Sequence, residues 1–244
     1  MESGSVPNFL PSTNAFRFTN TFPPAPTVRI HLGIVGTVGV GNASQGVCGG
    51  MVFAVRDYFE ANLPPPPDDQ PPDPDTPLFK YITGRLIDSF NAPAGVAQYA
   101  DWMVLPSGDV NFVVGRRAGT FSRTVRNSWP AVRADIDSGH LSPLGLVTVH
   151  TPDLRQIGKC HQVLAYGYQA NDDRFITINV YDPNTDHDSA DDVWITFSAA
   201  NPSKVSAINH NIDIGEPTLH GFFRSSYSFK SPPAVPAMGD AGPH

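Results

Sequence analysis

A thiol that opens a helix is the first chemistry this sequence offers. The segment Gly46-Val47-Cys48-Gly49-Gly50-Met51 leads into a stretch whose apolar residues Met51, Val55, Tyr58 and Phe59 fall at i, i+4, i+7 and i+8. That spacing predicts a helix starting at or near Cys48 with one buried stripe. The first N–H groups of a helix have no partner within it, and the macrodipole is positive at that end. A thiol placed there is biased toward thiolate, the nucleophilic form. The flanking glycines leave the sulfur uncrowded and let another backbone approach closely. A lone cysteine is more often buried and inert, so the reading requires a base.

His161 is the candidate base. It stands near the head of the run Cys160-His161-Gln162-Val163-Leu164-Ala165-Tyr166-Gly167-Tyr168, which is followed by Phe175-Ile176-Thr177-Ile178-Asn179-Val180-Tyr181-Asp182-Pro183-Asn184. Two apolar runs flank the polar Asn171-Asp172-Asp173, the pattern of a β-hairpin. A two-residue turn at Asn171-Asp172 puts Asp182 opposite His161, and a turn at Asp172-Asp173 puts Asn184 there. Either side chain can fix an imidazole tautomer. Pro183 cannot continue a ladder, which favours Asp182 as the orienting acid and leaves Asn184 as a supporting group behind it. The other seven histidines of the chain have no comparable setting.

A cysteine at the head of a helix, then a histidine on a strand far downstream and an Asp or Asn on the next strand, resembles the papain-like cysteine peptidases. HQVLAYGY and ITINVYDPN are similar to the His-to-Asp block of the C39-type, bacteriocin-processing branch of that fold. GVCGGMVFAVRDYF resembles bacterial and fungal papain-fold proteins with no assigned substrate. The resemblance implies Cys48 as nucleophile, His161 as general base and Asp182 as orienting acid. It implies a hydrolase cutting a peptide or amide bond through an acyl-enzyme. An acyl transferase or cyclase on the same site, and a non-catalytic binding module on the same fold, are the alternatives. The family places a Gln six residues before the Cys as an oxyanion donor. That position here is Asn42, and Gln45 lies three residues before Cys48; either amide is a candidate.

The elements that must hold these residues fall into two halves. After Cys48 the helix is expected to run to about Asn62, because Leu63 precedes Pro64. Pro77–Phe90, Gly95–Leu105 and Pro130–Ser138 carry helical patterns, the last with Pro at its first turn and Gly139 beyond its end. Leu144–His150, His161–Tyr168, Phe175–Asp182, Val193–Phe197, Lys204–His210 and Leu219–Phe229 read as strands. Helices first and strands second predict an α+β fold with an antiparallel sheet or partial barrel. One domain over residues 30–230 is expected, with an extended surface arm over 1–29 and a flexible tail over 231–244. The tract LPPPPDDQPPDPDTP at 63–77 favours polyproline II and is expected to face solvent away from the thiol.

Composition removes several function classes. The net charge is −7, with 16 Lys and Arg against 23 Asp and Glu, so clustered basic residues for phosphate contact are lacking and no nucleic-acid partner is expected. Arg116, Arg117, Arg123 and Arg126 read as a solvated helix face. No apolar run is long enough to span a bilayer and no leader pattern is present, so a cytoplasmic protein with no membrane partner is expected. Asp182, Asn184, Asp186 and Asp188 alternate as in a calcium loop, but His187 and Val193 stand where an EF-hand needs Gly and Glu. No metal or other cofactor is expected. Alternation along the strand is expected to turn Cys160 away from Cys48, which argues against a disulfide.

Overall fold

The helical periodicities before residue 139 and the alternating apolar runs after it become separate elements in the computed structural model. It describes residues 1–22, 28–31, 37–40, 47–91, 94–113, 115–171 and 174–234. The first half holds β1 (Glu2–Ser5), α1 (Pro11–Asn14), β2 (Val28–His31), β3 (Thr37–Val40), α2 (Cys48–Glu60), α3 (Pro77–Ser89) and α4 (Ala94–Val104). It continues with β4 (Val110–Phe112), β5 (Gly115–Arg117), α5 (Thr120–Arg123), a π-helical turn at Thr124–Ser128 and α6 (Trp129–Asp137). The second half holds β6 (Ser142–Val147), β7 (His161–Ala170), β8 (Phe175–Tyr181), β9 (Trp194–Ser198), β10 (Ile208–His210), β11 (Thr218–Leu219) and β12 (Gly221–Arg224). Short 3₁₀ segments at Leu154–Lys159 and His187–Asp192 sit between its strands.

The strands of the second half form one sheet in the order β11-β10-β9-β8-β7-β6-β12, all antiparallel. It curls into a half-barrel, and the fold is α+β. The chain thus follows the helices-then-strands order of its patterning, apart from the small hairpins β2–β3 and β4–β5 and from β1 at its start. β1 pairs with Gly167–Ala170 of β7, while β6 pairs with His161–Ala165. Since β8 occupies the other edge of β7, β1 extends the line of β6.

The expected surface arm over 1–29 is therefore corrected. Its first strand belongs to the sheet, and Phe9, Phe16, Phe18 and Phe22 are buried in the main core. Phe9 meets Phe59 edge-on, Phe16 packs on Phe18 and Tyr58, and Phe22 reaches Phe79. The arm is an aromatic strap over α2 and α3. Its phenylalanines show no period because the strap is mostly irregular backbone.

Two further expectations change. Arg116 and Arg117 lie in the β4–β5 hairpin, not on a helix, and the four arginines do not share one face. Arg117 and Arg123 both pair with Asp101, Arg116 pairs with Asp109, and Arg126 bonds Ser203. Of the tail, residues 231–234 are described, and they are held rather than loose. The Tyr58 hydroxyl donates to the Pro233 carbonyl at 3.1 Å, and Pro232 is buried.

The helix that carries the thiol is fixed by close packing. α2 is buried from Cys48 through Tyr58. A Cβ at Gly50 would stand 2.2 Å from the Ile82 carbonyl oxygen of α3, and one at Gly49 would stand 2.3 Å from Ser89 Oγ. Only glycine allows the two helices to approach this closely. α2 ends two residues before the expected Asn62, which takes φ +54, a left-handed turn that stops the helix. The Pro- and Asp-rich tract then runs to α3 without regular structure.

Candidate active site

The head of α2 meets the head of β7 at one end of the sheet. Cys48 is the first residue of α2 and His161 the first of β7. The Cys48 thiol and the His161 ring lie close enough for each to shift the other's charge state. His161 Nε2 lies 2.6 Å from Asp182 Oδ1, so the remaining ring nitrogen, Nδ1, is the one that serves the sulfur. All three residues are buried, with Cys48 keeping 9 % exposure and Asp182 none. The sequence-derived trio is thus brought together.

The preferred register, with Asp182 opposite His161, is not the one formed; near the site the ladder has the other register weighed above, with Asn184 opposite His161. The ladder runs Ala170↔Ile176 near the turn and Leu164↔Tyr181 near the site, with a bulge between Ala165 and Gly167. Asp172 and Asp173, on which the expected turns fall, lie outside the described residues. The bulge shifts the register by one, so extending the Leu164↔Tyr181 pairing puts Asn184 across from His161 and Asp182 on the diagonal. Diagonal neighbours share a sheet face, and Asp182 reaches the ring from there, just past the end of β8.

Asp182 is itself tightly held. Its Oδ1 accepts the Asn184 N–H at 3.1 Å and its Oδ2 accepts the Thr185 hydroxyl at 2.8 Å. Asn184 therefore supports the acid through its backbone. Its side chain turns elsewhere, accepting from Asn20 Nδ2 at 3.1 Å and donating to the Asp213 carbonyl at 3.3 Å. Asp182 and Asn184, the first two members of the alternating acidic run, are thus engaged within the site. Among the described residues, no group of three or more His, Cys, Asp or Glu is placed to hold a metal ion.

Electrostatics reinforce the geometry. Burial pushes the Cys48 thiol up, but the His161 charge and hydrogen bond, with N–H groups of Gln162 and Gly49, outweigh it and hold the thiol below its ordinary value. Burial pushes His161 down, yet the Cys48 thiolate and the Asp182 carboxylate raise it to about 10. Burial likewise acts against the Asp182 carboxylate, and the His161 charge, with its hydrogen bonds, keeps it below the usual carboxylate range. The arrangement favours a thiolate–imidazolium pair backed by a carboxylate.

Cys160 behaves differently. It is a free thiol, as is Cys48, and burial pushes it up to about 11 despite hydrogen bonds with Thr148. It borders the same cleft as Cys48 and packs against the smaller apolar cluster that holds Val147, Ile157 and Phe223. Strand alternation does not govern it, because Cys160 caps the preceding 3₁₀ segment and β7 begins one residue later.

One residue that the patterning missed ties the site together. Asn20, at the end of the aromatic strap, accepts the Val47 N–H at 2.8 Å beside the thiol and donates to Asn184. Its own N–H donates to the Pro183 carbonyl at 2.8 Å. The nucleophile's helix and the acid's loop are thereby clamped by one amide. A single Asn in an aperiodic segment carries no signal in the sequence. Asn42 and Gln45, the two oxyanion candidates, lie outside the described residues.

The cleft over Cys48 and His161 has a volume of about 370 Å³ and is also lined by Asn20, Thr21, Lys159, Asn184, Asp213 and Ile214. No residue of the Pro-rich tract is among the described residues that line it. Among the described residues no helix is long and apolar enough to cross a membrane. Compared with protein-family models, curated proteins and solved structures, the chain matches none.

Proposed function

We propose that this protein is a papain-like cysteine hydrolase acting on a peptide or amide bond. The observation that carries the reading is the buried succession of Cys48, His161 and Asp182 beside an accessible cleft, with thiol and imidazole electrostatically coupled and the imidazole bonded to the carboxylate. The α+β architecture, with the thiol on the first turn of a buried helix and the base on an antiparallel strand, is consistent with it. So is the resemblance of the sequence blocks around Cys48 and His161.

In this mechanism the Cys48 thiolate attacks the substrate carbonyl carbon. The tetrahedral adduct collapses as His161 gives its Nδ1 proton to the leaving amine. Water, deprotonated by the now neutral His161, then attacks the thioester and releases the acid and the thiolate. The active form is thiolate with imidazolium. Acid removes it by protonating Cys48, and alkali removes it by taking the His161 proton near pH 10. Activity is thus expected to fall on both sides of a broad optimum.

The test is a library of peptides and amides offered to the wild type and to Cys48→Ala, with products and acyl adducts read by mass spectrometry. Turnover that disappears in Cys48→Ala, with an adduct on Cys48 in the wild type, is the expected result. Equal turnover by the two proteins would remove the reading. Adding amines to the same assay separates hydrolysis from acyl transfer, since an acyl-enzyme that yields only to amines marks a transferase.

A further inference from the structure

Two residues of opposite charge border the cleft from either side of His161. Lys159 and Asp213 both line it and both are exposed. Among the described side chains neither forms an ion pair. Lys159 closes the 3₁₀ segment before β7, and its carbonyl accepts the Thr148 hydroxyl at 2.8 Å, which ties it to the β6 side of β7. Asp213 follows β10, and its carbonyl accepts from Asn184, which ties it to the β8 side. Since β7 lies between β6 and β8, the two charges bracket His161.

The rest of the lining gives an apolar group little to pack against. Among the described residues that line the cleft, Ile214 supplies the only aliphatic side chain, and Asn20, Thr21 and Asn184 present amide and hydroxyl groups. A site of this kind binds through polar and charged contacts, because a buried apolar ligand group needs apolar walls. Oppositely charged walls also orient an incoming dipolar molecule before it docks.

We infer that the cleft selects a substrate of split charge, with an anionic group toward Lys159, a cationic group toward Asp213 and the scissile carbonyl between them over Cys48. The chemical class is a short polar peptide or amide carrying a carboxylate on one side of the cut bond and an ammonium or guanidinium on the other. This rests on the cysteine-hydrolase reading, and it adds which substrates that site takes.

Three small alkylating agents test it without knowledge of the substrate: neutral iodoacetamide, anionic iodoacetate and cationic 2-bromoethylamine. Each is reacted with Cys48 at neutral pH, and rates are taken relative to iodoacetamide in the same protein. In a solvated cleft, one charge several ångströms away changes a rate by a factor of about two to three, and reversing its sign squares that factor. Lys159→Glu is expected to lower the iodoacetate ratio about fivefold, and Asp213→Lys to lower the 2-bromoethylamine ratio about as much. Both effects should shrink at about 1 M salt, where the screening length is about 3 Å. Arg155→Glu, an exposed change on the same 3₁₀ segment, serves as the control and should leave both ratios unmoved. Fast iodoacetamide labelling with unchanged ratios in either charge swap, or an equal change in the control, would overturn the inference alone. A Cys48 that resists iodoacetamide would overturn the cysteine-hydrolase reading, and the inference with it.

Discussion

His161→Ala is expected to slow the iodoacetamide reaction of Cys48 by about 100-fold at pH 6. Without the imidazolium the largest influence left on this thiol is burial, which disfavours the thiolate. A thiol of even ordinary pKa, about 8.5, is less than about 1 % thiolate at pH 6. In the wild type the thiolate is held by the His161 charge and by N–H groups from Gln162 and Gly49, and only the last two survive the substitution. Mass spectrometry of the Cys48 peptide gives the rate directly. Cys160, pushed up to about 11, is expected to remain unlabelled at this pH in both proteins. A loss of less than about threefold would mean that His161 does not set the charge of the thiol, against the electrostatics expected of such a pair.

The second large effect concerns stability and lies on the other side of α2. Asp57 is fully buried within that helix. Its carboxylate accepts from Arg85 Nη2 at 3.1 Å, from the hydroxyls of Tyr81 and Tyr227 at 2.7 Å each, and from the Lys230 N–H at 3.0 Å. Arg85 Nε lies 2.7 Å from it as an ion pair, off the hydrogen-bond direction. Arg85 is 1 % exposed and also holds the Ser228 carbonyl at 2.8 Å. One carboxylate thus joins α2, α3 and the C-terminal segment. Asp57→Ala removes the shared acceptor of a guanidinium that keeps Asp88 and Ser228, of two hydroxyls that keep the Lys230 carbonyl and Glu60, and of the Lys230 N–H, and breaking a buried pair in this way costs up to about 3–5 kcal/mol. Against a total of about 5–15 kcal/mol for a typical domain, urea denaturation should show a greatly lowered midpoint. Asp57→Leu combined with Arg85→Met should recover part of the loss, because both charges are then gone. A single-variant loss under about 1 kcal/mol would show that the cluster is not a stabilising anchor.

The sequence showed the site better than it showed what supports it. Cys48 and His161 were legible because each begins a strongly patterned element: the stripe from Met51 to Phe59 in one case, the apolar run to Tyr168 in the other. Asp182 was found as well, but through a simple two-residue turn. The bulge between Ala165 and Gly167 moves the register without any change in residue type, so alternation alone could not locate it. The aromatic strap was hidden because Phe9, Phe16, Phe18 and Phe22 bury themselves from irregular backbone, where neither a 3.6 nor a 2.0 period applies. Asn20 and the Asp57–Arg85 cluster were hidden for a related reason. Their meaning lies in partners far along the chain, Asn184 for the first and Tyr227 and Lys230 for the second. A polar residue in a single sequence carries no mark of the group it will face.

The central claim is that Cys48 is held as a thiolate by His161. The chain has two cysteines, so in Cys160→Ser the ultraviolet thiolate absorbance belongs to Cys48 alone and can be titrated against pH. The account predicts that the absorbance is already present at neutral pH and is lost only in acid, below the ordinary thiol range of about 8.5. Absorbance that appears only as the pH rises through that range or beyond it, as for an isolated buried thiol, would contradict it.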